Sequence, residues 1–375
     1  MKSRPLSTLL TLALLAVGGL WLFNRLSAPK PPLAASNELD MESLRKDLRR
    51  PFGGTARPLP PAAGSATTNR PSRLARLLAG EELDENEFKL TREQIDDYLK
   101  LNKRSAESLL AAAQLPGLED RSALLREAAD KFPRDARVQF AVLTANTNNF
   151  ALSPEDRRKW LEAFKQSSPD NLLPGLLSAR EYFKADQPRE AVSELAASLG
   201  SRRYNDFVRE SVQNAEEAYL SAGYSPAEAK AMAMTSALLP QVSELRELGK
   251  NLAALEQQYR AAGDTATADG LMMTGIQIGQ RLSDENSPTL IQELVAMAME
   301  RRFLSNASPA LIDGPARLAQ LDTRRQAIKQ AASTDILQLI QSGNEAEIIA
   351  YFDRLKIYGE FNAMLWLKQR QTNAP

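Results

Sequence analysis

From Arg73 to the C-terminus, the chain consists mainly of residues that favour helices: Ala, Leu, Glu, Lys, Arg and Gln. No run in this part alternates apolar and polar residues, which is the pattern of a half-buried strand. Apolar residues recur three and four positions apart instead, so each segment has one face that needs a partner. These patterns predict an all-α fold of about a dozen helices with roughly 10 to 20 residues each.

Helix boundaries are also marked along this body. Thr91, with Gln94 three residues later, has the sequence pattern of a capping box. At Ser153-Pro154 and at Ser225-Pro226, a capping residue is followed by Pro at the first helical position and by an acid in the first turn. The same order recurs at Asn286-Ser287-Pro288 and at Ser308-Pro309, and helix ends are indicated at Pro116-Gly117, Pro133, Gly223, Gly263 and Gly343.

Two stretches of the body contain the same succession of sequence features. The first, from Leu124, reads LLREAADKFPRDARVQFAVL: a helix, a Pro, an acidic residue and a new helix. The second, from Leu161, reads LEAFKQSSPDNLLPGLLSAREYFKADQPREAVSEL, and its Pro169 follows Pro133 by 36 residues. A fixed period of this length indicates an array of helix pairs that stack on one another.

These junctions resemble the tetratricopeptide repeat, whose period is about 34 residues and whose second helix ends in Pro. With Pro169 taken as that Pro, the resemblance places Tyr182 at the aromatic position of the repeat, Ala191 at its small crossing position and Leu195 at its large apolar position. A small residue lets the two helices of a hairpin cross closely, and the aromatic residue fills the space between hairpins. The three residues are therefore predicted to pack the repeat.

A further copy of the pattern lies between Leu252 and Gly275, where Tyr259 and Ala268 keep the nine-residue spacing of Tyr182 and Ala191. A looser echo is formed by Tyr219, Gly223 and Ala229. The chain departs from the repeat at two positions: Gly175 stands at the usual Trp position, and Ala179 where Gly is preferred. A generic helical bundle that also uses Tyr and Ala remains an alternative. We predict a repeat domain over residues 74–285.

Residues 286–375 are less regular, with a turn indicated at Asp313-Gly314-Pro315. Terminal helices of such arrays usually cover the apolar end, so we expect a C-terminal capping region here. The last segment is rich in large apolar side chains, which either pack on the preceding hairpins or form an exposed anchor for a partner. They are Tyr351, Phe352, Tyr358, Phe361, Leu365 and Trp366.

The N-terminus has an uncharged run of eighteen residues from Leu6 to Phe23, with basic residues on both sides. A helix of this length is roughly 27 Å long and can cross a hydrocarbon core. We expect an uncleaved membrane anchor over residues 1–26, with Leu6, Leu15, Trp21 and Phe23 in contact with lipid. A signal peptide cleaved after Ala28 is the alternative, although Leu26 is unfavourable at the small-residue position of the cleavage site.

Residues 27–73 are rich in Pro, Gly, Ser, Thr and Ala. Such a segment buries too little apolar surface to offset the entropy of ordering, so a disordered Pro/Ala-rich linker is predicted. Together with the anchor, it would hold a helical body on the periplasmic side of the cytoplasmic membrane of a bacterium. If the anchor is cleaved, the protein would instead be secreted.

Composition restricts the chemistry that is open to this chain. It contains no Cys and no His, and 47 basic residues balance 47 acidic ones. Thiolate catalysis, Ser-His-Asp catalysis and Cys/His zinc sites are therefore excluded, and zero net charge gives no electrostatic basis for nucleic-acid binding. The acidic pairs Asp96/Asp97 and Glu216/Glu217 are adjacent in sequence and point about 100° apart on a helix. We predict no catalytic residue, no metal site and no cofactor.

The favoured function is a membrane-anchored, non-catalytic scaffold that binds protein or peptide partners of the cell envelope through its helical-repeat surface. The order of anchor, spacer and helical body also resembles the lipase-specific foldases. The Arg-x-x-Phe-Asp-Tyr motif of that family is absent, and the nearest string, RYNDF from Arg203 to Phe207, does not match it. A third possibility is an enzyme that acts on envelope glycans through two carboxylates. The sequence does not identify the partner or the oligomeric state.

Overall fold

The structure is a computed structural model that describes residues 89–372, except 117–120, 146–149, 202, 238, 284–288, 306, 308–311 and 335. The described residues form sixteen α-helices. The first eight are α1 (Arg92–Leu101), α2 (Ala106–Gln114), α3 (Arg121–Lys131), α4 (Ala136–Thr144), α5 (Pro154–Ser167), α6 (Leu172–Lys184), α7 (Pro188–Ser198) and α8 (Val208–Ser221). The others are α9 (Pro226–Thr235), α10 (Pro240–Ala261), α11 (Thr265–Leu282), α12 (Leu290–Leu304), α13 (Gly314–Ala331), α14 (Ile336–Gln341), α15 (Glu345–Tyr358) and α16 (Glu360–Thr372).

The fold class predicted for the body is confirmed: the described residues are helical, and their one β-type pairing is an isolated bridge between Asn171 and Arg203. The predicted anchor (1–26) and linker (27–73) lie outside the described residues. Of the helices described, none combines the length and the apolar character that a membrane span requires.

Several predicted helix starts are confirmed. Thr91 and Ser225 close capping boxes with Gln94 and Glu228, and the Ser153 side chain accepts a hydrogen bond from the backbone of the first turn of α5. Each such cap satisfies N–H groups that have no partner inside the helix. The predicted starts at Ser287 and Ser308 lie outside the described residues.

The turn predicted at Asp313-Gly314-Pro315 is the start of α13. The Asp313 side chain accepts a hydrogen bond from Ala316 N at 3.0 Å, and Pro315 lies in the first turn of the helix. Because a Pro in the first turn has no N–H to leave unpaired, the same residues that can form a turn also begin a helix here.

Helices that follow one another in sequence pack in pairs, among them α4 with α5, α6 with α7, α8 with α9 and α10 with α11. The architecture is therefore that of a helical-repeat protein with packed neighbours, and it is compatible with a tetratricopeptide-like solenoid. Two large apolar cores run through the described helices, beside two smaller ones. The first core joins α1–α4 with α8 and α9, and the second core joins α6, α7 and α10–α13 with α16.

Contacts between helices that are distant in sequence add to this order. Helix α8 returns to pack on α1 and α2, α10 packs on α6, α15 packs on α9 and α16 packs on α13. Successive contacts lead from α2 through α8, α9, α15, α16, α13, α12, α10, α6, α5 and α4 back to α2. The C-terminal helices thus contact α9 of the first core as well as the second core that precedes them.

Candidate interaction surface

The hairpin α6–α7 shows why Tyr182 and Ala191 recur at a fixed spacing. Tyr182 O accepts a hydrogen bond from Gln187 N at 2.9 Å, which closes the end of α6. Between them Asp186 has the left-handed conformation, with φ of 55°. Ala191, in the first turns of α7, is fully buried where the two helices cross.

The hairpin α10–α11 repeats this geometry at the same spacing. Tyr259 O accepts a hydrogen bond from Asp264 N at 3.0 Å, Gly263 is left-handed with φ of 83°, and Ala268 is fully buried. This bond pattern is that of a Schellman helix end, which requires a left-handed residue and therefore favours Gly. The two hairpins are thus related units in backbone geometry as well as in sequence.

The echo at Tyr219 is the same helix end with one residue added. Tyr219 O accepts a hydrogen bond from Tyr224 N at 3.2 Å, and Gly223 is left-handed with φ of 84°. In this hairpin α9 begins after Ser225, one residue later than the spacing of the other two hairpins would place it. The buried Ala229 therefore follows Tyr219 by ten residues instead of nine. This insertion explains why the sequence pattern is out of register.

The structure brings four of the five repeat-packing residues together on the second core. Ala191 and Leu195 are fully buried in it, and Tyr182 and Tyr259 pack against its edge while remaining partly exposed. Ala268 is fully buried on α11. Gly175 departs from the repeat for a steric reason: a Cβ at this position would lie 1.7 Å from Ser198 Oγ of α7. The close approach of α6 and α7 leaves no space there for the Trp of the repeat. The predicted anchor residues Leu6, Leu15, Trp21 and Phe23 lie outside the described residues.

A band of paired charges crosses α5, α6 and α10. Glu181 contacts Arg157 at 2.9 Å and Lys184 at 2.7 Å, and Glu244 of α10 contacts Lys184 at 3.2 Å and Arg180 at 3.5 Å. Burial opposes ionisation of Glu181, but the hydrogen bond from Lys184 and the charge of Arg157 hold its pKa below the ordinary value. The band therefore presents alternating fixed charges on the outside of neighbouring hairpins.

Beside this band, one face of α5 borders a shallow, open groove of about 700 Å³, whose lining residues all lie on this helix. Its lining includes Glu155, Arg158, Lys159 and Glu162, which share one face of the helix. The guanidinium carbon of Arg158 lies 5.1 Å from the centre of the Tyr182 ring, a distance at which a cation and an aromatic ring attract. The repeat-packing Tyr182 therefore joins the second core to this exposed groove. We call the groove and the charged band together the α5–α10 surface.

A second charged cluster joins α8, α9 and α15. Both oxygens of Glu216 are bound, one by Lys230 at 2.7 Å and the other by Lys356 at 2.8 Å. Lys230 also contacts Asp353 at 2.5 Å, and Lys356 donates to Gln213 at 2.6 Å. In the sequence, Glu216 is distinguished only as half of an adjacent acidic pair. Its partner Lys356 is 140 residues away, and no local pattern indicates that contact.

The RYNDF string occupies the connection from α7 to α8 and is held in place by its neighbours. The side chain of Asn171 donates to Asn205 O at 2.8 Å and accepts from Asn205 N at 2.9 Å. Asp206 is buried and accepts a hydrogen bond from Gln241 at 2.8 Å; burial raises the pKa of Asp206. These contacts tie the connection to α6 and α10 and so position the two hairpins.

Within the part of the chain that the structure describes, no three acidic side chains are grouped to hold a metal ion. The α5–α10 surface offers paired charges, a cation over an aromatic ring and an open groove. Comparison with known proteins adds no relative, since no protein-family model, curated protein or solved structure matches the chain significantly.

Proposed function

We propose that this protein is a membrane-anchored, non-catalytic scaffold of the bacterial cell envelope that binds a protein or peptide partner through the α5–α10 surface. In this proposal, residues 1–26 anchor the chain, residues 27–73 form a flexible spacer and the helical body lies on the periplasmic side. The observation that carries the proposal is the shared hairpin geometry of α6–α7 and α10–α11. Arrays of related hairpins commonly present their outer side chains as one continuous binding surface.

The side chains on this surface suit recognition of a peptide that carries both charges and aromatic or apolar groups. Arg158 and Lys159 lie along the groove between Glu155 and Glu162, so a partner with complementary charges would be fixed in register. Tyr182, partly exposed beneath Arg158, adds a flat apolar contact of the kind that is enriched at binding hot spots. Affinity on this view depends on charge pattern and shape together.

Site-specific crosslinking in the native host tests this proposal. A photoreactive amino acid is introduced at Lys159, which is exposed in the groove, and at Lys329, an exposed residue of α13 that serves as the matched control. We expect a discrete crosslinked product with the Lys159 substitution only. The product should disappear when Arg158 is changed to Glu in the same chain. Products that are identical at both positions, or unaffected by Arg158→Glu, would refute the assignment of the surface.

The anchor is tested separately by membrane fractionation. The full chain should sediment with the membrane and resist extraction by high salt, whereas a chain that begins after residue 28 and carries an unrelated cleavable signal should be soluble in the periplasm. Recovery of the full chain in the soluble fraction would contradict the anchor and favour secretion after cleavage. This result would leave the α5–α10 surface open to the crosslinking test.

A further inference from the structure

The charged band of the α5–α10 surface contains more basic than acidic groups. Three basic side chains, those of Arg157, Arg180 and Lys184, share two carboxylates. Lys184 contacts both carboxylates, Glu181 at 2.7 Å and Glu244 at 3.2 Å. Arg157 contacts the first of them at 2.9 Å, and Arg180 contacts the second at 3.5 Å. One positive charge of the band is therefore left without a carboxylate of its own.

Neighbouring residues of α10 do not restore the balance. Glu247 accepts a hydrogen bond from Lys250 at 2.6 Å. This bond, together with the charges of Lys250, Arg180 and Arg246, holds the pKa of Glu247 below its ordinary value. Arg246 is exposed and brings a further positive charge to the same place. The part of the surface around Arg180 is therefore electropositive.

The guanidinium of Arg180 lacks hydrogen-bond acceptors. The side chain is 16% exposed, so most of it is removed from water where α6 meets α10. Its salt bridge joins Nε to Glu244 Oε2 at 3.5 Å, and Nε is buried without a hydrogen bond. A guanidinium has five N–H donors, and a buried donor without an acceptor costs free energy.

Two other half-buried arginines show what a satisfied guanidinium looks like in this protein. Arg317 of α13 is 33% exposed and contacts Glu300 at 2.6 Å. Arg324 of the same helix is 32% exposed and contacts Glu293 at 2.5 Å. Arg180 is more deeply buried than either, but within the described part of the chain it has no carboxylate at such a distance.

We propose that the partner of the α5–α10 surface presents an acidic side chain, an Asp or a Glu, whose carboxylate docks on Arg180. This inference rests on the proposed function and adds the chemistry of the partner to it. The groove on α5 does not favour one sign of charge, because Glu155 and Glu162 lie beside Arg158 and Lys159. The excess of positive charge around Arg180 selects an acidic segment over a basic one.

The burial of Arg180 also favours this docking. Because the neighbouring helices already restrict the side chain, little of its rotamer freedom is lost when an acceptor binds. The planar guanidinium matches the two oxygens of a carboxylate, with which it forms parallel charge-assisted hydrogen bonds. The partner's carboxylate would supply the acceptors that Arg180 lacks and would neutralise the excess charge of the band.

Crosslinking from α10 in the native host tests the inference with the full chain. The photoreactive amino acid is placed at Ser243, which is exposed beside Glu244. We expect a product with the same partner that is captured from Lys159, and its yield should fall at least about tenfold with Arg180→Gln. Arg134→Gln, at an exposed position between α3 and α4, is the matched control and should leave the yield unchanged.

The outcomes separate this inference from the function on which it rests. A Ser243 yield that Arg180→Gln does not change overturns the docking on Arg180, while the product from Lys159 still supports the proposed function. Absence of a product from both positions contradicts the proposed function and this inference with it. If Arg180→Gln lowers the cellular amount of the protein, Arg180→Lys takes its place, because it keeps the charge and loses only the planar fork. Its yield should fall by about threefold, and an unchanged yield then overturns the inference.

Reciprocal substitutions identify the group that binds. Mass spectrometry of the Ser243 product gives the crosslinked segment of the partner, which should contain an Asp or a Glu. Arg180→Glu should abolish the product, and a change of that acidic residue of the partner to Arg should restore it, because the two charges are then exchanged. A crosslinked segment without an acidic residue would mean that Arg180 does not bind a carboxylate of the partner.

Discussion

Single residues with left-handed backbone conformations determine where the hairpins of this protein turn. Gly263 has φ of 83°, and a Cβ added to it would meet no atom within 4 Å. A substitution there is therefore opposed by backbone conformation alone. Gly270, seven residues later on α11, has equally open surroundings but a helical backbone. The pair separates the conformational effect of Gly from its steric effect.

We expect Gly263→Ala to destabilise the protein by about 1 to 2 kcal/mol, because a Cβ is disfavoured in the left-handed region. Gly270→Ala should stabilise it by about 0.5 to 1 kcal/mol, because Ala loses less entropy in a helix. Urea unfolding monitored by circular dichroism measures both changes. If both variants change the free energy of unfolding in the same direction, an added side chain does not strain the turn at Gly263.

At this scale the sequence is informative, because the signals are local. The caps at Thr91 and Ser225 and the helix end at Gly263 each depend on atoms within a few residues, so their spacing alone predicts them. Asp186 is the exception, because it takes the left-handed conformation that Gly263 takes in the related hairpin. Asp tolerates this conformation better than most residues, but a pattern search for Gly does not find it.

At the scale of helices, α11 and α12 pack closely at two glycines. A Cβ on Gly279 would lie 2.8 Å from Glu300 Cβ and 2.9 Å from Glu300 N, and a Cβ on Gly275 would lie 2.2 Å from the ring of Phe303. Backbone atoms of α12 cannot move aside without displacing the helix. The two glycines, four residues apart on one face of α11, therefore set the distance between these helices.

We expect Gly279→Ala to destabilise the protein by about 1 to 3 kcal/mol, as overpacking of a rigid contact does. Gln277→Ala, at an exposed position two residues earlier on the same helix, is the control and should change stability by less than about 0.5 kcal/mol. Thermal and urea unfolding measure both variants. A neutral Gly279→Ala would mean that α12 is free to move away from α11.

In the charged cluster between α8, α9 and α15, we predict that two substitutions of carboxylates have unequal effects on stability. Glu216→Ala removes the acceptor of Lys230 and Lys356, whose ammonium groups are largely buried, and should destabilise the protein by about 2 to 4 kcal/mol. Asp353→Ala removes a carboxylate that is 41% exposed and should cost less than about 1 kcal/mol. Chemical denaturation at low and high salt measures both variants. Equal losses would show that burial does not govern this cluster.

The sequence does not predict which helices pack against each other. The amphipathic pattern of α8 shows that one face needs a partner, but α1 and α2 satisfy that need from more than a hundred residues away. The same holds for α15, whose partner α9 precedes it by a similar distance. The apolar faces of different helices have similar compositions. The geometry of the assembled hairpins therefore determines which faces pack together.

For the whole molecule, these distant contacts imply that the described helices unfold together. A linear array allows its ends to unfold independently, since each repeat contacts only its neighbours. Here α8 and α15 connect helices from the beginning, middle and end of the body, and the path of contacts returns to α2. Loss of any one segment therefore exposes apolar surface in another.

Two tryptophans can test this cooperativity in the full chain. Trp160 lies on α5 and packs against the first core, and Trp366 lies on α16 in the small core with α9. With Trp21 and one of the two changed to Phe, the remaining tryptophan reports on the first core or on the last hairpin. We expect the two urea midpoints to coincide. An earlier midpoint for Trp366 would mean that the last hairpin unfolds as a separate unit, as in an open array, and that its contacts with α9 do not couple it to the first core.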